Sequence, residues 1–234
     1  ASVALRTLRI AETLSFADAL HCESTAYSTL LGGDSFRQWL SRRPPSPTPA
    51  SVHEPVTVSR SGDILDIRLA DPASRNAFGR AMRDALHETL AAALDDPSAP
   101  SVRLSGEGAC FSVGGDLAEF GSSADLAQAH AIRVQRSCAL LLHRLGDRAT
   151  AYLHGACIGS GIEIPAAAAR RVGAARTFFQ LPELAMGLMP GAGGTVSLPR
   201  AIGRHRTATM LLTGMRVRAA TALEWGLLHA IETP

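Results

Sequence analysis

The chain has 234 residues, 46% of them hydrophobic and 19% charged, enough apolar side chain to bury the core of one large domain or two small ones. A formal charge of only +2, with 5% aromatic residues, argues against a nucleic-acid binder built on a basic face with stacking rings. All 23 basic residues are arginines, which excludes a P-loop, a Schiff base and pyridoxal phosphate chemistry, because each needs an ε-amino group.

An enzyme of this composition works with carboxylates, histidines, hydroxyls, thiols or backbone dipoles. Cys22, Cys110, Cys138 and Cys157 are widely spaced, form no C-x-x-C pair and have no histidine beside them at metal-ligand spacing. They read as buried free thiols, no metal is expected, and a reducing cytoplasmic compartment is the expected location. No apolar run approaches the roughly 18 residues of a membrane span, and the first residues lack a signal-peptide profile.

Along the chain, residues 2–40 carry helical periodicity through Leu5, Leu8, Leu14, Leu20, Phe36 and Leu40, with helix starts expected at Ser15 (Asp18 three residues on) and at Asp34. Residues 42–55 read RRPPSPTPASVHEP, which neither continue a helix nor pair in a sheet; the stretch is expected to be an extended connector. Val56 and Val58, then Leu65, Ile67 and Leu69, alternate with polar neighbours across Gly62-Asp63, the pattern of a β-hairpin. From Asn76 to Leu94 the spacing turns helical, with Phe78, Met82, Leu86, Leu90 and Leu94 on one face. Short strands follow at Val102-Arg-Leu104 and Ala151–Leu153 with helical stretches between, which implies βαβ units and a parallel sheet. Leu211-Leu212 and Leu140–Leu142 are expected in the core, and Trp39 and Trp225 as packing residues.

Two glycine-rich segments stand where a strand is expected to give way to a helix: Cys110-Phe-Ser-Val-Gly-Gly-Asp-Leu117 and His154-Gly-Ala-Cys-Ile-Gly-Ser-Gly-Ile-Glu163. The first N–H groups of a helix lack intrahelical partners and carry partial positive charge, so two such ends facing each other would hold an anionic oxygen without any lysine. Glycines at turns are ordinary, and either cluster alone means little. Glu163 and Glu183 sharpen the picture. A lone glutamate is normally a solvated surface residue, but two convergent carboxyls in an apolar pocket split their pKa values and divide acid and base roles.

Taken together, Arg75-Asn-Ala77, the two glycine-rich segments, Pro182-Glu183, Gly187–Thr195, Leu198–Gly203, Leu212-Thr-Gly214 and Gly226-Leu227 resemble the crotonase (enoyl-CoA hydratase/isomerase) superfamily, in register from about Pro55 to Pro234. The resemblance implies an α/β fold with a ββα-spiral core, an acyl-CoA thioester as substrate and partner, no cofactor beyond the coenzyme A of that substrate, and a homotrimer or hexamer. It implies that the thioester oxygen is held by the N–H groups of Gly115 and Ser160. Arg75, Ala77, Gly114, Asp116 and Leu117 match positions that line the coenzyme A groove. Glu163 and Glu183 match the two glutamates of the hydratases, in which Glu163 would activate water for attack at Cβ while Glu183 protonates Cα. Other enolate reactions (isomerisation, decarboxylation, thioester hydrolysis) use the same scaffold, and a catalytically silent acyl-CoA-binding homologue is the alternative from another class. This sequence departs from the family pattern at Ser160, often glycine, at Pro165, and at Ala169, commonly aspartate.

The first residues resemble the family's C-terminal helices placed first: Ala4-Leu-Arg-Thr-Leu-Arg9, Ser15-Phe-Ala-Asp-Ala-Leu20 with Glu23, Gly33-Asp-Ser-Phe-Arg37 and Arg42-Arg-Pro-Pro45. The order Gly226–Pro234 is where that tail would usually begin. The resemblance implies a circularly permuted enzyme: residues 1–45 a helical segment for trimerisation and pocket covering, 46–55 a proline-rich linker, and 56–234 the crotonase-like core. The alternative is that residues 1–45 are the remnant of an upstream copy packed on a neighbouring subunit.

Overall fold

The computed structural model describes residues 1–43 and 54–232. The linker expected over residues 46–55 lies outside the described residues except for Glu54 and Pro55. Helices α1 (Ser2–Ala11), α2 (Phe16–Leu31) and α3 (Asp34–Ser41) come first. The Ser15 side chain accepts the Asp18 N–H and so caps α2, where the Ser-x-x-Asp spacing puts it. Strands β1 (Val56–Ser61) and β2 (Ile64–Leu69) form the expected hairpin, with Val58 opposite Ile67.

The rest of the chain alternates: α4 (Arg80–Asp95), β3 (Ser101–Gly106), α5 (Leu126–Gln135), α6 (Cys138–Leu145), β4 (Ala149–Leu153), β5 (Ala156–Ile158), α7 (Ser160–Glu163), β6 (Arg170–Ala174), β7 (Phe178–Gln180), α8 (Gly194–Ile202), α9 (Arg204–Thr213), β8 (Val217–Arg218), α10 (Ala219–Trp225) and β9 (Ala230–Glu232). The main sheet runs β1-β2-β3-β4-β6-β9, parallel throughout except for the β1–β2 hairpin at its edge. A smaller sheet, β5-β7-β8, stands beside it. Ile67, Leu104 and Ala151 from neighbouring strands are fully buried against Met82, Leu86 and Leu90 of α4, so the four-residue apolar spacing of that helix is its sheet-facing stripe.

Four local expectations need correction. The helix expected from Asn76 begins only at Arg80, because Arg75 and Asn76 are left-handed (φ 59° and 54°). Asn76 is held there by its own amide: Nδ2 donates to the carbonyls of Glu107 (2.9 Å), Cys110 (3.1 Å) and Phe111 (3.0 Å), while Oδ1 accepts the Asp71 N–H. The first glycine-rich segment opens not a full helix but a single 3-10 turn, Leu117–Glu119, capped by Asp116. Leu212, expected in the core, is 49% exposed, whereas Leu211 is buried. All four cysteines are free, and Cys22 is only half-buried.

The helices α1 to α3 pack on the body of their own chain. Phe16, Ala19 and Leu20 form a small cluster with Ala139 of α6 and Val196 of α8. Arg200 of α8 donates to the carbonyls of Ala11 and Leu14, and Arg204 pairs with Glu12 at 2.7 Å.

Candidate active site

A parallel bridge from Ser112 to Cys157 brings the two glycine-rich loops together, and a second, from Phe78 to Gly115, ties the first loop to the chain just ahead of α4. Ser112 N–H donates to the Ala156 carbonyl and Ile158 N–H to that of Ser112, so the second loop is laced to the first. The approach is close enough that a Cβ on Gly114 (φ 93°) would lie 2.7 Å from the Ile158 carbonyl oxygen, which excludes any side chain there. Neither the Gly115 nor the Ser160 N–H has an acceptor among the described residues. Both residues line one cavity of about 980 Å³ that also holds Glu163 and Glu183.

Glu163 ends the one-turn helix α7, and Glu183 opens a 3-10 turn, Glu183–Met186. Both are buried. Gly159 (φ 52°) sits between them: a Cβ built there would lie 2.8 Å from Glu183 Oε1 and 3.8 Å from Glu163 Oε1. Two carboxyls from separate turns therefore face one point, beside the free N–H of Ser160.

Their surroundings differ in chemistry. Glu163 Oε2 accepts the N–H groups of Ala192 (2.7 Å) and Gly194 (3.0 Å) at the start of α8. These donors favour the charged form against the burial that raises its pKa to about 7. Glu183 Oε2 has no partner among the described residues, and burial, with the charge of Glu163 second, pushes its pKa well above the ordinary carboxyl value. A carboxylate held by backbone dipoles beside a carboxyl biased toward its neutral form is an arrangement of base and acid in one pocket. Neither forms an ion pair with arginine among the described residues.

Of the residues matched to the coenzyme A groove, Gly114, Asp116 and Leu117 line the cavity. Arg75 and Ala77 do not; they lie on the adjoining loop, where the Arg75 carbonyl accepts the Val113 N–H and the Arg75 side chain is exposed. The three departures separate cleanly. Ser160 Oγ, on the cavity that the glutamates line, is buried without a partner among the described residues. Pro165 opens the 3-10 turn Pro165–Ala167, where its missing N–H costs no hydrogen bond. Ala169 is exposed and does not line the cavity. His154 turns away, its Nε2 3.0 Å from the Gly108 carbonyl oxygen. Among the described residues no cluster of histidine, cysteine and carboxylate is arranged for a metal ion, and no helix is long and apolar enough to cross a membrane.

One buried carboxylate was not singled out as a site residue from the sequence. Glu23 of α2, 1% exposed, reaches the same stretch of chain that holds Glu163. Its only sequence signal is a position in the motif shared with the family's C-terminal helices. Tyr27, one turn further along α2, and Phe36 and Leu40 of α3 close the cavity from the same side.

These features have a family. The chain belongs to the enoyl-CoA hydratase/isomerase family, whose model matches residues 59–233. It is 32% identical over 176 residues to the 2,3-dehydroadipyl-CoA hydratase of Escherichia coli (strain K12), covering 75% of this chain and 68% of that protein. To the fatty acid oxidation complex subunit alpha of Shewanella sp. (strain W3-18-1) it is 33% identical over 150 residues, which is 62% of this chain and 21% of that subunit. Among solved structures, the enoyl-CoA hydratase from Thermoplasma volcanium GSS1 superposes with a TM-score of 0.70 at 28% identity, over 77% of this chain and 73% of that one. The enoyl-CoA hydratase from Bacillus anthracis gives 0.69 at 27%, over 76% and 70%. The family match begins at residue 59, so α1 to α3 stand outside it.

Proposed function

We propose that the protein hydrates an enoyl-CoA thioester, or dehydrates the 3-hydroxyacyl thioester in reverse, through an enolate. The observation that carries this reading is the pair of buried carboxyls facing Gly159 with opposite environments. The thioester oxygen would accept the free N–H groups of Gly115 and Ser160. Glu163 takes a proton from water as the water oxygen bonds to Cβ, the double-bond electrons move to the thioester oxygen as an enolate, and Glu183 gives its proton to Cα. The two glutamates then exchange one proton to reset. An unpartnered Glu183 Oε2 and Ser160 Oγ are buried polar atoms that bound water and substrate would satisfy.

In this reading Gly114, Asp116 and Leu117 border the coenzyme A thiol arm, and the exposed Arg75 meets its phosphates, arginine being the only basic side chain besides histidine that this chain has. We further propose that the fold is circularly permuted, with residues 1–45 in the place of the family's C-terminal helices, and that the assembly is a trimer or hexamer. The free thiols suit a reducing cytoplasm.

The test is turnover on a panel of enoyl-CoA substrates of different chain length, some ending in a carboxylate as 2,3-dehydroadipyl-CoA does, with products followed by mass spectrometry. Gain of one water across the double bond is the expected result. A shifted double bond, loss of carbon dioxide or free coenzyme A would assign a different enolate reaction, and binding without turnover would leave an acyl-CoA-binding protein.

A further inference from the structure

The start of α8 is gripped from two sides. Its successive backbone N–H groups alternate between two carboxylates: Ala192 and Gly194 donate to Glu163 Oε2, while Gly193 donates to Glu23 Oε1 (2.7 Å) and Thr195 to Glu23 Oε2 (2.7 Å). Thr195 Oγ1 is the third donor to Glu23, reaching Oε2 at 2.7 Å. Glu163 is fixed to the same helix through its backbone, since Ser197 Oγ donates to its carbonyl oxygen. The stretch can hold this alternation only because it is glycine-rich: a Cβ on Gly194 would lie 2.7 Å from Glu163 Cγ. Glu23 is thus bonded to every second donor of the strip whose other donors set Glu163, from 170 residues away in sequence.

We propose that Glu23 is a positioning residue of the candidate active site, which holds the 192–195 strip so that its remaining N–H groups are aimed at Glu163 and keep that carboxylate charged and oriented toward water. The N-terminal helical segment is then part of the reaction centre's second layer of hydrogen bonds, acting through α8. This inference rests on the hydratase reading for its kinetic consequences, but the hydrogen-bond linkage between Glu23 and Glu163 is measurable without it.

The charged and titratable groups close to Glu163 are Glu183 from the 3-10 turn and Glu23 and Tyr27 from α2, with Arg133 of α5 against Tyr27. Burial, with the charge of Glu163 second, raises Glu23 to about 8, and burial raises Glu163 to about 7. Replacing Glu23 with Gln keeps the size and shape of the side chain. It removes an acceptor: a protonated carboxyl oxygen still has a lone pair for the Thr195 N–H, and an amide nitrogen has none. One donor of the strip must turn away, and the bonds to Glu163 loosen with it.

The experiment compares wild type with Glu23→Gln by two readouts on the folded protein: a carboxyl 13C NMR titration of Glu163, and kcat and KM for enoyl-CoA hydration against pH. Expected are an upward shift of the Glu163 midpoint and of the acid limb by about half a pH unit or more, and kcat lower by about tenfold or more with KM nearly unchanged. An unshifted midpoint with undiminished kcat per folded molecule would overturn the proposal. If Glu23→Gln does not fold, Thr195→Val removes only the Oγ1 donor; a smaller shift in the same direction supports the linkage and no shift refutes it. If the wild type hydrates no substrate, the hydratase reading fails while the NMR midpoint still decides whether Glu23 sets Glu163.

Discussion

The sheet core and the N-terminal helical layer meet at one cavity, and they combine apolar burial and directional bonds in different proportions. In the core, Ile67, Leu104 and Ala151 are sealed between the parallel strands and α4, a continuous apolar interior. The layer docks through Ala4 of α1, which joins that interior, and through a smaller patch around Phe16, Leu20 and Val196, and is then fixed by directional bonds: Arg200 to the carbonyls of Ala11 and Leu14, Arg204 to Glu12, and Glu23 to the strip at the start of α8. Apolar burial is tolerant of small shifts, whereas hydrogen bonds that share a strip with Glu163 are not. The core carries both candidate proton-transfer groups, and in the proposal above the layer supplies their alignment.

The largest effects should come from the core's own carboxyls. Glu163→Gln removes the proton acceptor and Glu183→Gln the donor, and each is expected to lower kcat by about 10² to 10⁴-fold, with the affinity for coenzyme A nearly unchanged. Because the two groups act in one step, the double variant should lose little more than the worse single one, and hydration persisting in the double variant would remove both from the reaction.

Next come substitutions that distinguish apolar burial in the two regions. Leu104→Ala in the core and Phe16→Ala in the layer should each cost about 3 kcal/mol in a denaturant melt, since both side chains are buried and Phe16 stacks on His143 (ring centroids 4.1 Å apart) with Arg200 over its ring at 5.3 Å. Their kinetics should part company. Folded Leu104→Ala should keep its kcat, while Phe16→Ala, which loosens α2 and with it Glu23, should lose kcat at temperatures where the sheet is still intact. Equal kinetics in the two variants would break the division drawn above.

The same contrast decides what could be read from the sequence. Period-2 alternation in residues 56–69 and the four-residue spacing from Met82 to Leu94 are local signals, and they located the hairpin and the sheet-facing stripe of α4. The start of that helix was misplaced because Asn76 is held left-handed by carbonyls 31 to 35 residues away, which no periodicity reports. Glu163 and Glu183 stood out because glycine-rich loops flank them. The functional weight of Glu23 did not, because its partners are backbone N–H groups 170 and 172 residues on, and backbone donors leave no mark in side-chain patterns. Buried Arg171 was equally silent: among the described residues its guanidinium bonds only to carbonyls, those of Ala168 and Leu227 among them.

A smaller effect follows from pH. Glu163 and Glu23 have folded pKa values raised from 4.5 to about 7 and about 8, chiefly by burial. Each binds its proton more tightly folded than unfolded, so the stability this provides is complete below about pH 4.5 and is lost as pH rises through 7 and 8. Turnover in the proposed reaction needs Glu163 ionised, so kcat/KM should rise over the interval in which the melting temperature falls. Melts from pH 5 to 9 alongside the rate profile check this, and Glu163→Gln should flatten the decline.

The smallest expected effect isolates the layer's local order from its docking. Ser15 Oγ accepts the Asp18 N–H at 3.1 Å and donates to the Asp18 carboxylate at 2.6 Å, all on the exposed side of α2. Ser15→Ala leaves one N–H of the first turn without an acceptor and should cost about 1 kcal/mol in a denaturant melt. Glu23 lies two turns further in and is anchored by three donors from the body of the protein, so fraying at the cap should stop before reaching it. The variant should therefore keep both its kcat and the acid limb of its pH profile. A loss of rate as large as that of Phe16→Ala would mean that α2 moves as a unit, and that its alignment of Glu163 depends on the whole helix rather than on the bonds around Glu23.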